Sequence, residues 1–288
     1  MSRAPTPLAP TPLAAAPFRR RIVTGFSPGR VYAMCARYTY LLLASWPRLL
    51  DIAYWPTVQM ITWGFITSFL APQTGFLAQG FGVLLAGALL WDVLFRGQIG
   101  VALSFFEEMY ARNLGHLMVS PLKPTELMAS LLIMSLVRTL IGLVPASLLA
   151  IWFFGYSIYS MGFALVAFFF GLIVMGWAIG LFVSGLVMRN GLGAESLAWA
   201  LIFALAPLSG VYYPIAVLPE WLRYVAWTLP SSHAFEGMRA AVLHHELAWD
   251  HLAWMAVLDM VYLGLGGLAF LAFFRAAKVR GKILQVGE

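Results

Sequence analysis

The ionisable side chains of this sequence are few, so their placement limits the chemistry open to the chain. Asp92 and Arg96 stand four residues apart, acid first, the order that favours an ion pair along one helix face. Arg138 lies about as deep in the next apolar stretch as Asp92 does in its own. Consecutive stretches run antiparallel, so a bridge from Asp92 to Arg138 is as open as one to Arg96. Charges at such depth need partners. The expectation is a structural ion pair, with lining of a substrate path or a proton relay as the other roles. Asp259 has no evident partner in the sequence, and headgroup-level solvation is expected for it.

Catalytic arrangements are missing. An intramembrane serine protease needs G-x-S-G, but Ser184-Gly185 follow Phe182-Val183. His244, His245, Glu246, Asp250 and His251 are dense in possible ligands, yet no two of these histidines have (i, i+4) spacing. They read as solvated residues at a membrane boundary, and no metal site is expected. The one cysteine, Cys35, allows neither an intrachain disulfide nor a multi-cysteine metal site. No G-x-x-x-x-G-K-[ST] phosphate loop occurs. No catalytic residue is therefore expected.

Two segments carry unusual patterns. In the loop 106–126, Glu107 and Glu108 are expected to open a short helix holding Arg112, Leu114, Gly115, Leu117 and Met118, closed by Ser120-Pro121 and Lys123-Pro124 because proline restricts itself and its predecessor. Exposed apolar positions on such a helix suit docking to a partner. In the segment 210–250, Gly210, Pro214, Pro219 and Pro230 punctuate apolar pieces too short to span, and Glu236 and Arg239 make an (i, i+3) pair. Such pieces are expected to dip into the bilayer and return, an arrangement tolerated where protein shields it.

The elements that position these residues belong to a membrane protein. Of 288 residues, 61% are apolar, 15% aromatic and 10% charged, with mean hydropathy +0.84. Soluble domains carry about 25% charged residues, so an ordinary soluble enzyme, a disordered chain and a disulfide-rich secreted domain are all excluded. Apolar stretches at about 52–71, 81–104, 127–153, 161–187, 194–210 and 252–274 predict six spans within a transmembrane region 51–275. Fourteen of the 18 Lys and Arg then fall on one side and only Arg223 and Arg239 on the other. The positive-inside rule therefore puts both termini in the cytoplasm. The basic balance marks cytoplasmic loops, and no nucleic-acid partner is expected.

Residues 1–26 read as a disordered cytoplasmic tail, with five prolines in the first 17 residues, and 276–288 as a basic one. Arg19 to Arg21 lack the apolar run that a twin-arginine export signal requires. Between tail and spans, Ser27-Pro28 is a helix start. Arg30, Arg37 and Arg48 then recur within about 20° of one another at helical spacing. The stretch 27–50 is expected to be an interfacial amphipathic helix, broken or kinked near Pro47, with its arginines toward headgroups and cytosol and its membrane-facing side in contact with lipid. Gly176, Gly180 and Ser184 make a small-residue stripe for close helix packing, within the chain rather than between chains.

The sequence resembles the permease subunits of ABC type-2 exporters. Ile202, Leu205, Leu208-Ser209 and Val211 match the family's approach to its last outer segment, Leu218-Pro219 its middle, and Pro230, His233 and Arg239 its end. Ser231 departs from the aliphatic, Phe or Thr usual there. The resemblance implies an all-α polytopic fold with an interfacial N-terminal helix, six transmembrane helices and a re-entrant extracytoplasmic hairpin before the last span. It also implies that the loop at 107–121, with Pro121, is a coupling helix seated on a separate ABC ATPase subunit. Pro219, Pro230, His233 and Arg239 would shape an external gate. A second permease chain, as a homodimer rather than a heterodimer, would complete a path for a lipidic, glycan or drug-like substrate. ATP and Mg would sit on the partner ATPase, this chain binding no cofactor, and the location would be a bacterial inner membrane. An integral secondary transporter or an intramembrane enzyme is the alternative from other classes, but the matched broken helices of inverted repeats are not evident.

Overall fold

The computed structural model describes residues 25–70 and 75–279, and its regular structure there is entirely helical. In order come α1 (Pro28–Leu43), α2 (Trp46–Leu70), α3 (Gly75–Tyr110), α4 (Leu114–Val119), α5 (Pro124–Phe154), α6 (Phe163–Asn190), α7 (Ser196–Leu208), α8 (Glu220–Trp227), α9 (Pro230–Leu243) and α10 (Trp249–Val279). The stretch 1–17, Arg19 to Arg21 and the tail from 280 onward lie outside the described residues.

Among the described residues, four helices are long and apolar enough to cross a membrane: Gly82–Tyr110 within α3, and α5, α6 and α10. The two other expected spans differ from these. The 25-residue α2 has the length but not the apolarity, because Asp51, Gln59 and several threonines dilute it. The 13 residues of α7 extend only about 20 Å, short of a hydrocarbon core of about 30 Å.

The expected interfacial helix is also shorter than the sequence suggested. It ends at Leu43, and α2 starts at Trp46 and continues through Pro47. The break precedes the proline because Pro47 sits in the first turn of α2, where its missing N–H has no helical partner to lose. α1 buries Val31, Met34, Tyr38 and Leu42, an (i, i+3, i+7, i+11) stripe that packs chiefly on α5. Tyr32, Tyr40, Leu43 and Trp46 stay exposed.

α3 is the central helix, with 78% of its most apolar window buried against 22% for α10 at the periphery. Glycines on two sides of α6 set the layering. A Cβ at Gly176 would stand 2.7 Å from the Leu94 carbonyl oxygen, and one at Gly180 2.7 Å from that of Gln98. The small-residue stripe thus seats α6 on α3 within the chain. On its other side, Gly171 meets Met255 and Gly185 meets Phe270, while Gly266 of α10 abuts the Ala178 backbone. Close approach through such notches is how helices gain contact where burial from water contributes little.

Candidate functional site

The ionisable residues gather at two ends of the bundle, about 30 Å apart along α3. At the first end they tie α1 to the helices on either side of α4. The Arg37 guanidinium donates to both oxygens of Glu108, at 2.7 and 3.0 Å. Arg30 donates through Nε to Glu126 at 2.7 Å, and the same carboxylate accepts the Ser27 and Lys123 backbone N–H groups at 2.8 and 3.0 Å. Arg48, at the start of α2, stands 3.8 Å from Glu107, whose other oxygen is 3.3 Å from Arg138. The three arginines expected to face headgroups therefore face carboxylates of the bundle. Helical spacing put Arg30 and Arg37 on one side of α1, but that side is turned toward the protein, and Arg48 belongs to α2, beyond the break after Leu43, so the three do not share one helix face. The Tyr38 hydroxyl is buried beside Glu108, and burial together with that negative charge holds its pKa well above the usual tyrosine value.

Glu107 and Glu108 do not open the short helix. α3 runs on to Tyr110, and the short helix begins at Leu114. Between them Arg112 is exposed and adopts a left-handed conformation, φ +54°. Leu114 is buried and anchors α4, Gly115 and Leu117 are half-buried, and His116, Val119 and Pro121 are exposed, Val119 at 89%. The acidic pair thus forms the base of the loop, and α4 itself presents an uncharged surface. Glu126 went unnoticed in the sequence, although its place three residues after Lys123, just inside a proline-started helix, is a capping position.

Between the two ends, the membrane-depth charges resolve into separate pairs. Asp92 accepts from Arg96 Nε at 2.6 Å, while Arg138 reaches toward Glu107 instead. The Arg96 guanidinium lies over Gly142 of α5, where a Cβ would stand 3.0 Å from its Nε and 2.8 Å from the Ile52 carbonyl oxygen. That carbonyl belongs to the residue four before Pro56, so its helical donor is missing. Asp259 is not solvated at a boundary: it is 5% exposed, facing the interior of the bundle.

At the other end, α9 turns back against α3, α6 and α10, burying Pro230, Ser231, Ser232, His233 and Arg239. α7 ends in a turn at Gly210, φ +63°, a conformation open to glycine at little cost. Arg239 fastens this turn, donating to the carbonyl oxygens of Gly210 and Tyr213. Its NH1 stands 3.4 Å from Glu236 Oε1 without hydrogen-bond geometry. Glu236 in turn accepts the Ile215 N–H at 2.6 Å. Burial lowers the Arg239 pKa, and the neighbouring Glu236 opposes that shift. Ser231, the departure from the expected motif, pairs with Ser209 at 2.7 Å across the same junction. A Cβ at Gly87 of α3 would stand 2.9 Å from the Val211 carbonyl oxygen, so α3 closes over the turn.

His233 joins three elements. Its Nε2 is 3.0 Å from the Trp227 carbonyl oxygen at the end of α8, and its Nδ1 is 3.2 Å from His251 Nδ1 on α10. The Trp227 ring stacks on His251 at 5.7 Å between centroids, and His233 on Trp254 at 6.4 Å. Burial depresses the His233 pKa, while the Trp227 carbonyl acts in the opposite sense. The donor to that carbonyl must be Nε2–H, which leaves Nδ1 as acceptor for His251. Pro214 and Pro219 are exposed and flank the short 3₁₀ turn Ile215–Val217. His244, His245 and Glu246 lie in the α9–α10 connection, and no group of three possible metal ligands forms among the described residues.

A family model described as ABC-2 type transporter matches residues 35–243, well over half of the chain. That range takes in most of α1, the α4 loop and the whole α7–α9 turn-back. No curated protein matches the chain.

Proposed function

The chain belongs to the ABC-2 type transporter family, and on that premise we propose that it is the permease subunit of an exporter driven by a separate ATPase chain. The family and the apolar helices make it a multi-pass membrane protein and an ABC permease subunit, and membership implies an ABC ATPase partner in general. The reading adds how this chain meets that partner. α4 is the docking element, and its placement between Glu108 and Glu126 carries the proposal. Both carboxylates grip α1, so a push on α4 is delivered to α1, α3 and α5 together rather than absorbed in a loose loop.

Further elements of the reading follow the charge distribution and the family. α2 and α7 complete six crossings once a second permease chain packs against their less apolar or shorter faces, and a homodimer supplies that chain. By the positive-inside rule the Lys and Arg bias favours α4 and both termini on the cytoplasmic side, and the family reading adds a bacterial inner membrane. The α7–α9 segment is a re-entrant outer gate, whose Gly210, Glu236 and Arg239 shape it without touching cargo. ATP and Mg reside on the partner. The cargo is lipidic, glycan or drug-like. The test is hydrolysis by the purified complex in nanodiscs. The proposal expects ATP turnover to depend on this chain and to fall when α4 is altered; transport by this chain alone, with no ATPase, overturns it.

A further inference from the structure

Asp259 sits on the seam between α10 and α6, on a stripe bounded by Met255, which packs on Gly171, and Gly266, which packs on Ala178. It is 5% exposed, and its Oδ1 is enclosed without a hydrogen bond. The facing stretch of α6, 171–178, reads GLIVMGWA and holds no ionisable group. The arginines within the long helices α3 and α5 are already engaged, Arg96 by Asp92 and Arg138 by Glu107, as is Arg239 of α9 by Glu236. A carboxyl at membrane depth is costly and is ordinarily paired. Among the described residues this one has no cationic partner from the chain itself.

One turn further along α10, Tyr262 lines a half-open groove of about 490 Å³ shared with Met175 and Ala178 of α6, Leu201 of α7, Leu229 and Gly266. Its volume suits a drug-sized ligand, and no residue lining it is charged. A metal ion is poorly served, since hard cations take several oxygen ligands and the seam offers one carboxyl. An organic cation needs only apolar contact and a nearby counter-charge. Tyr262 adds a ring face for such a cation. One helical turn, about 5 Å, leaves the carboxylate strongly felt where water does not screen it.

We infer that Asp259 and this groove form a binding site for a lipophilic organic cation, an ammonium or phosphonium borne on an apolar body. The inference rests on the permease reading and narrows its cargo to that class. The test is equilibrium binding of radiolabelled tetraphenylphosphonium to the full chain in phosphatidylcholine nanodiscs, with binding to empty discs subtracted. Wild type binds saturably. Asp259→Asn weakens binding by about tenfold or more, equivalent to about 1.4 kcal/mol, whereas Asp259→Glu retains it. Leu265→Trp, which fills the groove from a lipid-exposed position, abolishes binding, and thermal unfolding checks that each variant is folded. Equal affinity in the folded Asp259→Asn variant, or no saturable binding by wild type, overturns the inference. The assay needs neither ATP nor a partner, so its failure is separate from failure of the coupling test.

Discussion

Arg37 of α1 and Glu108 of α3 meet in a two-pronged ion pair whose carboxylate is 2% exposed and whose guanidinium is 34% exposed. The contact spans 71 residues of sequence and fixes α1 one turn before the α4 loop. Arg37→Gln leaves Glu108 buried and uncompensated. The expected loss is about 2 kcal/mol, below that of a fully buried pair because Arg37 is partly solvated. Thermal unfolding in detergent measures it. The exchange Arg37→Glu with Glu108→Arg should recover part of the loss, and no recovery would show that the pair is not the source.

The turn after α7 should be intolerant of a side chain. Gly210→Ala forces a non-glycine residue to φ +63° and sets its Cβ 2.7 Å from an Ile215 methyl carbon and 3.0 Å from the Tyr213 carbonyl oxygen. A cost of about 1–3 kcal/mol is expected. Arg239→Met, which strands the Gly210 and Tyr213 carbonyls, should loosen the same turn. Cysteine labelling of Ala216 reads both, with faster labelling than wild type expected.

How much was legible before the fold was known depends on the range of each signal. α5, α6 and α10 were readable because an apolar run of span length needs no partner to identify it. Arg30 and Arg37 were readable as one face, but their carboxylates lie 96 and 71 residues away, and Arg48 falls on α2 rather than in line with them. Periodicity defines a face and not what the face meets. The α4 boundary was misplaced because α3 continues past its apolar stretch through two glutamates, which look like a loop until their arginines are in view. Gly210, Glu236 and Arg239 were picked out by motif, while His251, Ser209 and Gly87 carried no local sign of their contacts. Asp259 was misread for the reverse reason. Its environment is formed by α6, and nothing near it in sequence shows that it is enclosed.

His233 gives the α9 junction a pH dependence. Burial makes its folded pKa lower than the ordinary value of 6.5, so the unfolded chain binds the proton more readily. Stability is therefore full above about 6.5 and is lost as pH falls through the lower folded value. Thermal unfolding between pH 7.5 and 5 should show this slope, and His233→Gln should flatten it. A wild-type curve that rises on acidification would contradict the buried neutral imidazole.

Docking and folding should separate at α4. Val119 is 89% exposed, so Val119→Asp should change stability by no more than about 0.5 kcal/mol. The same change places a carboxylate on the uncharged docking face and should abolish permease-dependent ATP hydrolysis. Unchanged hydrolysis would move the docking surface elsewhere.

The central claim is tested most directly by cross-linking from α4 in the native membrane. Val119→Cys, in a Cys35→Ser background, is joined by a short thiol-reactive bis-maleimide to cysteines placed on the ATPase chain expected to act with it. The account predicts one cross-linked species joining this chain to an ATPase, with a yield that changes when ATP is added. Cross-linking that never reaches an ATPase from Val119, while the complex still hydrolyses ATP, would contradict it.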